Sequence, residues 1–186
     1  SPQQQALASL RDDRNQTNRF LLHGVTASGK TEVYMHLIQE VIQQGKQVLF
    51  LVPEIALTTQ IIQRLYVHFG KSMAVYHSRY TPSERVEVWN KVLVQEPSAQ
   101  LIVGARSAVL LPYSNLGLII VDESHEVAYK QFESNPRYHA RDVAVVLAGL
   151  HQAKIVLGSA SPSIESSHNS RTGKYNLVEI KERYRG

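Results

Sequence analysis

The sequence contains no cysteine, only two methionines and a single tryptophan among its 186 residues. Without cysteine, the chain can form neither a disulfide framework nor a thiolate zinc site. It also lacks the run of roughly 20 apolar residues that a membrane-spanning helix needs. Its first residues, Ser1–Gln5, do not follow the basic-then-apolar pattern of a signal peptide. These absences favour a cytoplasmic protein that makes no use of a membrane.

Acidic residues are outnumbered, with 16 of them against 20 lysines and arginines, for a formal charge of +4. A positive balance suits an anionic partner such as a nucleic acid. Many proteins with other partners are equally basic, so charge alone does not select one. Hydrophobic residues make up 43% of the chain and charged residues 19%. These are ordinary values for one medium-sized domain with a real core.

Short apolar runs alternate with longer amphipathic stretches. The runs predict strands at Arg19–His23, Gln47–Val52, Met73–Tyr76, Gln100–Val103, Gly117–Val121 and Lys154–Leu157. The amphipathic stretches predict helices at Gly29–Gln44, Ala56–Phe69, Pro82–Gln95, His139–Leu150 and Ser163–Ser170. This alternation is typical of a mostly parallel, doubly wound α/β sheet flanked by helices, in which ligands bind at the carboxyl ends of the strands.

Three segments follow from this pattern. Residues 1–18 are expected to lead into the domain, residues 19–173 to form it, and residues 174–186 to add a last strand and a charged linker. One stretch, residues 126–137, has neither a strand period nor a clear helix period. A loop of that length inside a compact domain is more often functional than accidental.

The clearest motif follows the first predicted strand and reads GVTASGKT, which matches G-x-x-x-x-G-K-[ST]. In such a loop, small residues let backbone N–H groups surround the phosphates of a nucleotide, while the lysine adds a point charge. The threonine hydroxyl is suited to bind Mg²⁺. The predicted nucleotide-binding residues are Gly24, Thr26, Ala27, Ser28, Gly29, Lys30 and Thr31, with Thr31 as a Mg²⁺ ligand.

A second motif lies at the end of the strand predicted at Gly117–Val121, where the chain continues as Asp-Glu-Ser-His. Asp122 is suited to hold Mg²⁺, and Glu123 to orient and deprotonate an attacking water. A pair of acids at a strand end is common and means little alone. Together with the phosphate-binding loop, it predicts an ATPase with Glu123, Asp122 and Lys30 as catalytic residues.

Several phrases resemble the bacterial replication-restart primosomal helicases, a group within the superfamily 2 DExH-type helicases. The phrases are GVTASGKTEVY from Gly24, LVPEIALTTQ from Leu51, GARSA from Gly104 and YKQFESNPRYHARD from Tyr129, while GSASP from Gly158 resembles a motif of superfamily 2 helicases in general. The resemblance runs from about Gln4 to the end of the chain. It implies a RecA-like first motor lobe of an ATP- and Mg²⁺-dependent 3′→5′ DNA helicase that acts in replication restart.

The resemblance also implies roles for individual residues. Gln4 matches a glutamine that reads adenine, although Gln3 or Gln5 would take its place after a shift of one residue. The residues matched to DNA contacts are Glu54, Thr58, Arg106 and Ser107. Those matched to a relay between lobes are His125, Ser159 and Ser161. For Gln4 and Arg106 an ordinary surface role is the alternative, for Glu54 and Thr58 it is an ordinary helix start, and for His125 it is metal binding.

Aromatic and basic side chains alternate in the loop after the acidic motif, at Tyr129, Lys130, Phe132 and Arg137. Rings that stack on bases, beside cations that meet phosphates, suit single-stranded nucleic acid. The family's loop at this place couples DNA binding to ATP hydrolysis. The alternative is that the rings pack against the domain, and we expect Phe132 in particular to be exposed.

The sequence departs from the family pattern at three small residues. Ala27 stands where glycine is usual, Ser124 where glutamate is usual and Ser161 where threonine is usual. The family's second motor lobe, its zinc-binding cysteines and its N-terminal DNA-binding domain have no counterpart in these residues. The expected partners are therefore DNA, a second lobe in the same protein and other primosome proteins.

Two other functions remain open at this point. The chain could be a nucleotide-dependent switch that acts on a protein partner, which would have no need of the aromatic and basic loop. It could also be a superfamily 2 translocase that acts on RNA or away from replication forks, since such proteins share every motif except that loop.

Overall fold

The computed structural model describes residues 1–12, 17–25, 27–54, 60–77, 79–132 and 135–182. Its strands are β1 (Arg19–Gly24), β2 (Gln47–Leu51), β3 (Met73–Tyr76), β4 (Leu101–Gly104), β5 (Leu116–Val121), β6 (Lys154–Ser159) and β7 (Asn176–Ile180). Its helices are α1 (Pro2–Arg11), α2 (Lys30–Gln43), α3 (Gln60–Phe69), α4 (Pro82–Leu93), α5 (Ala140–His151) and α6 (Ile164–Arg171). Thr26 and Thr58 lie outside the described residues.

The seven strands form one sheet in the order β3-β4-β2-β5-β6-β1-β7. Every ladder between these strands is parallel. The predicted doubly wound parallel α/β fold is therefore confirmed. The six predicted strands and five predicted helices are all present, with ends that differ by one or two residues, apart from the start of α3, which follows residues outside the described ranges.

Buried side chains form a separate hydrophobic cluster on each face of the sheet. Alternate residues of one strand enter different clusters, as Leu22 and Leu21 of β1 do, because successive side chains of a strand point to opposite faces. Helices α1, α2 and α3 cover the first cluster, whereas α4 and α5 cover the second. Coverage on both faces explains why the strands are continuous apolar runs.

Helix α1 was not among the helices predicted from the sequence. Ser1 caps this helix, since its hydroxyl accepts from the backbone N–H of Gln4, and Pro2 occupies the first turn. Leu7 and Leu10 are buried in the same cluster as α2. The predicted boundaries at residues 18 and 173 stay predictions, although α1 and β7 both pack with the sheet. No helix in the described residues is long and apolar enough to cross a membrane.

Candidate functional site

The parallel sheet brings the sequence motifs to one edge. The phosphate-binding loop follows β1, the acidic motif follows β5, and Ser159 ends β6. Strands β5 and β1 both pair with β6, so the three strand ends lie side by side. The carboxyl edge is where ligands bind in sheets of this kind.

The backbone of the phosphate-binding loop curls through left-handed conformations. Ala27 has a φ of 61° and Gly29 a φ of 85°. Glycine adopts this region at no steric cost, whereas other residues lose roughly 1–2 kcal/mol there. This conformation suits the glycine that the family resemblance implies where this chain has Ala27. The loop leads into α2, whose N-terminal backbone N–H groups are suited to an anion.

Gln3, and not Gln4, reaches the phosphate-binding loop. The Gln3 side chain is buried, and its Nε2 donates to the carbonyl oxygen of Ser28 at 2.9 Å. A methyl group added at Gly29 would lie 3.1 Å from Gln3 Cγ, so the two residues pack closely. The Gln4 side chain is exposed and accepts from the terminal amino group of Ser1. The structure thus brings Gln3 to the loop, and an adenine contact by Gln4, or by Gln3 in its place, stays a prediction.

Lys30 brings the phosphate-binding loop and the acidic motif together. Its amino group is buried, donates to the carbonyl oxygen of Gly24 at 2.8 Å and lies 3.6 Å from Glu123 Oε1. Glu123 itself has a φ of 45°, a conformation that non-glycine residues rarely adopt and that is common at functional sites. One cation and one carboxylate, separated by almost 100 positions in sequence, are thus within contact distance.

The Asp122 carboxyl is partly buried at the end of β5. Burial raises the pKa of its carboxyl from 3.8 to about 6, and the nearby charge of Glu123 adds to the rise. Tyr34 donates its phenol O–H to Asp122 Oδ1 at 3.0 Å and opposes that rise. The Tyr34 hydroxyl also fills the space beside Gly158, where an added methyl carbon would lie only 1.7 Å away. Tyr34 therefore orients Asp122, a role the sequence analysis missed.

The residues present fit a nucleotide with Mg²⁺. Ser28 Oγ is one of two buried side-chain polar atoms without a hydrogen-bond partner in the described part of the chain. No group of three or more histidine and acidic side chains gathers to hold a metal within the described ranges. Asp122 and Thr31 would supply two protein ligands at most. This suits Mg²⁺, which is usually held by one or two protein ligands together with water and phosphate oxygens.

The three residues predicted as a relay are connected by hydrogen bonds. Ser159 Oγ and His125 Nδ1 are 2.8 Å apart, and the backbone N–H of Ser161 donates to the same Ser159 oxygen at 3.0 Å. His125 Nδ1 is also 3.6 Å from Glu123 Oε2. The contact links the end of β6 to the acidic motif. Whether these residues relay between lobes stays a prediction.

Tyr129 is fully buried and cannot stack on a base in this structure. Its hydroxyl donates toward two backbone carbonyls, that of Leu51 at 3.1 Å and that of Asp122 at 2.5 Å. The ring therefore anchors the start of the aromatic loop to the ends of β2 and β5. The interpretation that rings here pack against the domain holds for Tyr129, and only a coupling role remains open to it.

Described side chains on both arms of the aromatic loop are exposed. Phe132 is 52% exposed, in line with the expectation for this ring, and Lys130 Nζ lies 4.9 Å from its centroid. Arg137 is exposed as well. Arg106 donates from Nη1 to the carbonyl oxygen of Lys130 at 2.8 Å, so it supports the loop as well as facing solvent in part. Ser107 is partly exposed beside it, and DNA contacts by these residues stay predictions.

Glu54, which follows β2, is exposed at the same edge of the sheet. A small open pocket of about 190 Å³ adjoins the phosphate-binding loop, lined by Ala27, Gly29, Thr31, Glu32 and Arg64. A larger groove of about 640 Å³ lies between α2 and α3 and is lined by none of the predicted site residues. Of these two pockets, only the smaller one is lined by residues of the phosphate-binding loop.

Two signals could have revealed what the motif search missed. Ser1 and Gln4 have the spacing of a capping box, and buried residues recur at Ala6, Leu7 and Leu10 with a helical period, which together indicate α1. In a helix that begins at Pro2, Gln3, Gln4 and Gln5 point in different directions. The sequence could therefore have indicated that only one of them faces the phosphate-binding loop. No comparable signal exists for Tyr34, which reads as an ordinary core residue of α2.

Comparison with known proteins agrees with this geometry. Residues 1–169 match the DEAD/DEAH box helicase family. The chain is 47% identical over 171 residues to the replication restart protein PriA of Bacillus subtilis, which covers 92% of this chain and 21% of that protein. It is 44% identical over 183 residues to PriA of Rickettsia conorii, covering 98% and 27%. The chain thus spans about a quarter or less of the curated relatives.

Solved structures show the same fold at lower identity. RecG bound to a three-way DNA junction has a TM-score of 0.68 at 23% identity, covering 99% of this chain and 24% of RecG. The Hef helicase domain of Pyrococcus furiosus has a TM-score of 0.63 at 20% identity, covering 98% and 38%. The helicase motifs, their meeting at one sheet edge and the match over residues 1–169 lead to one conclusion: this chain belongs to the DEAD/DEAH box helicase family.

Proposed function

We propose that the chain is the ATP-binding lobe of an ATP-dependent 3′→5′ DNA helicase that acts in replication restart and primosome assembly. The observation that carries the proposal is the meeting of Lys30, Asp122 and Glu123 at the carboxyl edge of the sheet. The similarity to replication restart proteins over nine-tenths of the chain supports the pathway. The polarity of unwinding rests on the family resemblance alone.

In this proposal, each residue of the site has one task. The backbone N–H groups of the loop from Gly24 to Thr31 surround the phosphates, and Lys30 places its charge on them. Thr31 and Asp122 would hold Mg²⁺, whose charge would offset that of the phosphates. Glu123 orients the attacking water and accepts its proton. Gln3, as the residue that contacts the loop, takes the adenine-side position assigned to Gln4.

DNA binding is proposed at the exposed side chains of the aromatic loop and at the neighbouring strand ends. Phe132 offers a ring to a base, while Lys130 and Arg137 offer charge to phosphates. Glu54, Arg106 and Ser107 lie at strand ends on the same edge. Tyr129 joins the loop to the backbone of Asp122, which provides a direct physical connection between bound DNA and the acidic motif.

The remaining parts of the proposal concern the longer protein. The partners are DNA, a second helicase lobe in the same protein and other primosome proteins, in the cytoplasm. A zinc site would belong to the part of the relatives that these residues do not span, since the chain has no cysteine.

Two substitutions in the full-length protein test the site. Lys30→Ala should abolish Mg-ADP binding in a calorimetric titration, because the phosphates lose their buried cation. Glu123→Gln should keep nucleotide affinity near that of the wild type and remove hydrolysis, because the amide cannot accept the proton. Equal affinity in Lys30→Ala, or turnover within a few-fold of wild type in Glu123→Gln, would contradict the assignment.

The nature of the stimulating polymer separates the alternatives. Stimulation of ATP turnover by single-stranded DNA supports the proposal. Stimulation by RNA alone would favour a superfamily 2 translocase that acts on RNA. A nucleotide-dependent switch would respond to neither polymer, and the aromatic and basic loop argues against it.

A further inference from the structure

Arg141 is a buried cation that the proposed chemistry does not use. It lies in the first turn of α5, directly after the aromatic loop, and its side chain is 9% exposed. A buried charge is costly unless its hydrogen-bonding groups are paired. The guanidinium of Arg141 is paired, and two of its partners lie at the start of a different helix, α6.

The guanidinium of Arg141 makes three contacts. Nη2 donates to Glu165 Oε2 at 2.8 Å, Nε donates to Asp142 Oδ1 at 2.9 Å, and Nη1 lies 3.5 Å from Ser163 Oγ. Ser163 is the N-cap of α6, and its hydroxyl accepts from the backbone N–H of Ser166 at 3.1 Å. Arg141 therefore ties the first turn of α5 to the first turn of α6. A lysine at this position would lose some of these three contacts, because its ammonium group cannot reproduce the planar set of donors of the guanidinium.

The start of α6 directly follows the relay residues. Only Pro162 separates Ser161 from the N-cap Ser163. Ser161 contacts Ser159 through its backbone N–H, and Ser159 contacts His125. Whatever fixes the N-terminus of α6 also restricts this short segment beside the acidic motif.

On the other side, the two stems of the aromatic loop pair immediately before Arg141. Lys130 and His139 form an antiparallel bridge, and the backbone N–H of Gln131 donates to the carbonyl oxygen of Tyr138 at 2.8 Å. Lys130 also lies over the exposed ring of Phe132. His139, which closes this pairing, precedes Arg141 by two residues.

We propose that Arg141 is a positioning residue that fixes the aromatic loop relative to the Ser159–Ser161 segment. A nucleic acid held at the loop would then shift or secure His125 next to Glu123. This inference rests on the proposed function, because it assumes that the loop binds nucleic acid and that Glu123 hydrolyses ATP.

The experiment is a double-mutant cycle in the full-length protein with Arg141→Gln, Glu165→Ala and the two combined. The measured quantity is the ratio of DNA-stimulated to unstimulated ATP turnover, together with the KM for ATP. Each single variant should lower the ratio by about threefold to tenfold. The KM should stay within about twofold of wild type, because neither side chain touches the nucleotide loop. The double variant should be no worse than the poorer single variant, because the two changes break the same contact.

Two controls keep the result interpretable. Lys91→Gln breaks an exposed ion pair with Glu87 on α4 and should leave the ratio at the wild-type value. Because Glu165 is 66% exposed, its replacement should not unfold the protein, and it decides the matter alone if Arg141→Gln fails to fold. A ratio unchanged in Glu165→Ala, or losses that add in the double variant, would overturn the role of Arg141. A wild-type protein without DNA-stimulated turnover would instead contradict the proposed function.

Discussion

At the scale of single residues, Gln3 joins α1 to the phosphate-binding loop. Its amide bonds the carbonyl of Ser28, while its side chain packs against Gly29. Loss of one such bond costs roughly 1 kcal/mol, and a buried carbonyl left unpaired can add more. The adjacent Gln4 is exposed and makes no contact with the loop among the interactions of the described residues.

Gln3→Ala should therefore weaken nucleotide binding, whereas Gln4→Ala should not. We expect the Kd for Mg-ADP to rise about fivefold in the first variant, on the order of 1 kcal/mol, because the loop loses its support from α1. Gln4→Ala is the matched control, since it makes the same change one position along the same helix. The measurement is a calorimetric titration of each variant. A larger loss in Gln4→Ala would restore the adenine-reading role to Gln4.

Asp122 makes folding stability depend on pH in a defined direction. Burial raises its pKa from 3.8 to about 6, so the folded chain holds the proton more tightly than the unfolded chain. Stability should fall as pH rises from about 4 to above 6, by at most about 3 kcal/mol, because deprotonation then favours the unfolded state. Asp122→Asn should lack this part of the decline. Chemical denaturation at several pH values, without Mg²⁺, measures the difference between wild type and variant.

The control for that comparison is Glu87→Gln, which converts an exposed carboxyl of α4 into an amide. It should follow the wild-type pH profile. Parallel profiles for wild type and Asp122→Asn would show that Asp122 is not the group responsible. Such a result would also weaken the account of Tyr34 as the residue that orients a buried carboxyl.

At the scale of elements, the aromatic loop begins with a buried ring, that of Tyr129, and continues with exposed side chains. Tyr129 holds the start of the loop to the ends of β2 and β5. Arg106, which follows β4, donates to the backbone of the loop. Phe132 and Arg137 remain accessible. Such a loop can bind a nucleic acid through its exposed side chains and, through Tyr129, restrict the backbone of the acidic motif at Asp122.

Phe132→Ala should raise the concentration of single-stranded DNA that gives half-maximal stimulation of ATP turnover. Stacking is worth about 1–3 kcal/mol per base, so a rise of about fivefold or more is expected in the full-length protein. Tyr66→Ala is a suitable control, because it removes a ring of comparable exposure from α3, outside the loop. Equal effects of the two substitutions would mean that Phe132 offers no specific stacking surface.

At the scale of the whole molecule, the described residues fill one α/β unit and the chain spans about a fifth to a quarter of its curated relatives. Motors of this kind close the ATP site between two lobes, and an arginine from outside the first lobe contributes roughly 10³–10⁵ in turnover. We expect the 186 residues alone to bind nucleotide, to hydrolyse it barely above background and to unwind nothing.

Comparing ATP turnover of these residues with that of the full-length protein, each with and without DNA, tests this expectation. A deficit of about 10³ or more in the shorter protein agrees with it. Weak, strongly salt-dependent DNA binding should accompany the deficit, because phosphate contacts dominate affinity and some would be missing. Robust DNA-stimulated turnover by the shorter protein would show that it completes the site itself, in cis or by self-association.

The sequence by itself determined the class of fold and located the residues on which the proposed chemistry depends. Continuous apolar runs, a phosphate-binding loop and an acidic strand end are local patterns, and a parallel sheet necessarily brings the ends of its strands to one edge. Lys30 and Glu123 could be assigned for that reason. The sequence shows that position 27 holds alanine where the family resemblance implies glycine. It does not show that the backbone there is in the left-handed conformation.

Only the tertiary structure decided which side chains support the site. Gln3 was separated from Gln4 by the face of α1 that packs on the loop. Tyr129 was shown to be an anchor because a carbonyl of β2, far away in sequence, accepts from its hydroxyl. Arg141 found its partner on α6 in the same way. Such contacts join distant parts of the chain, and no local pattern of residue types records them, because burial and partner choice arise only when the elements pack.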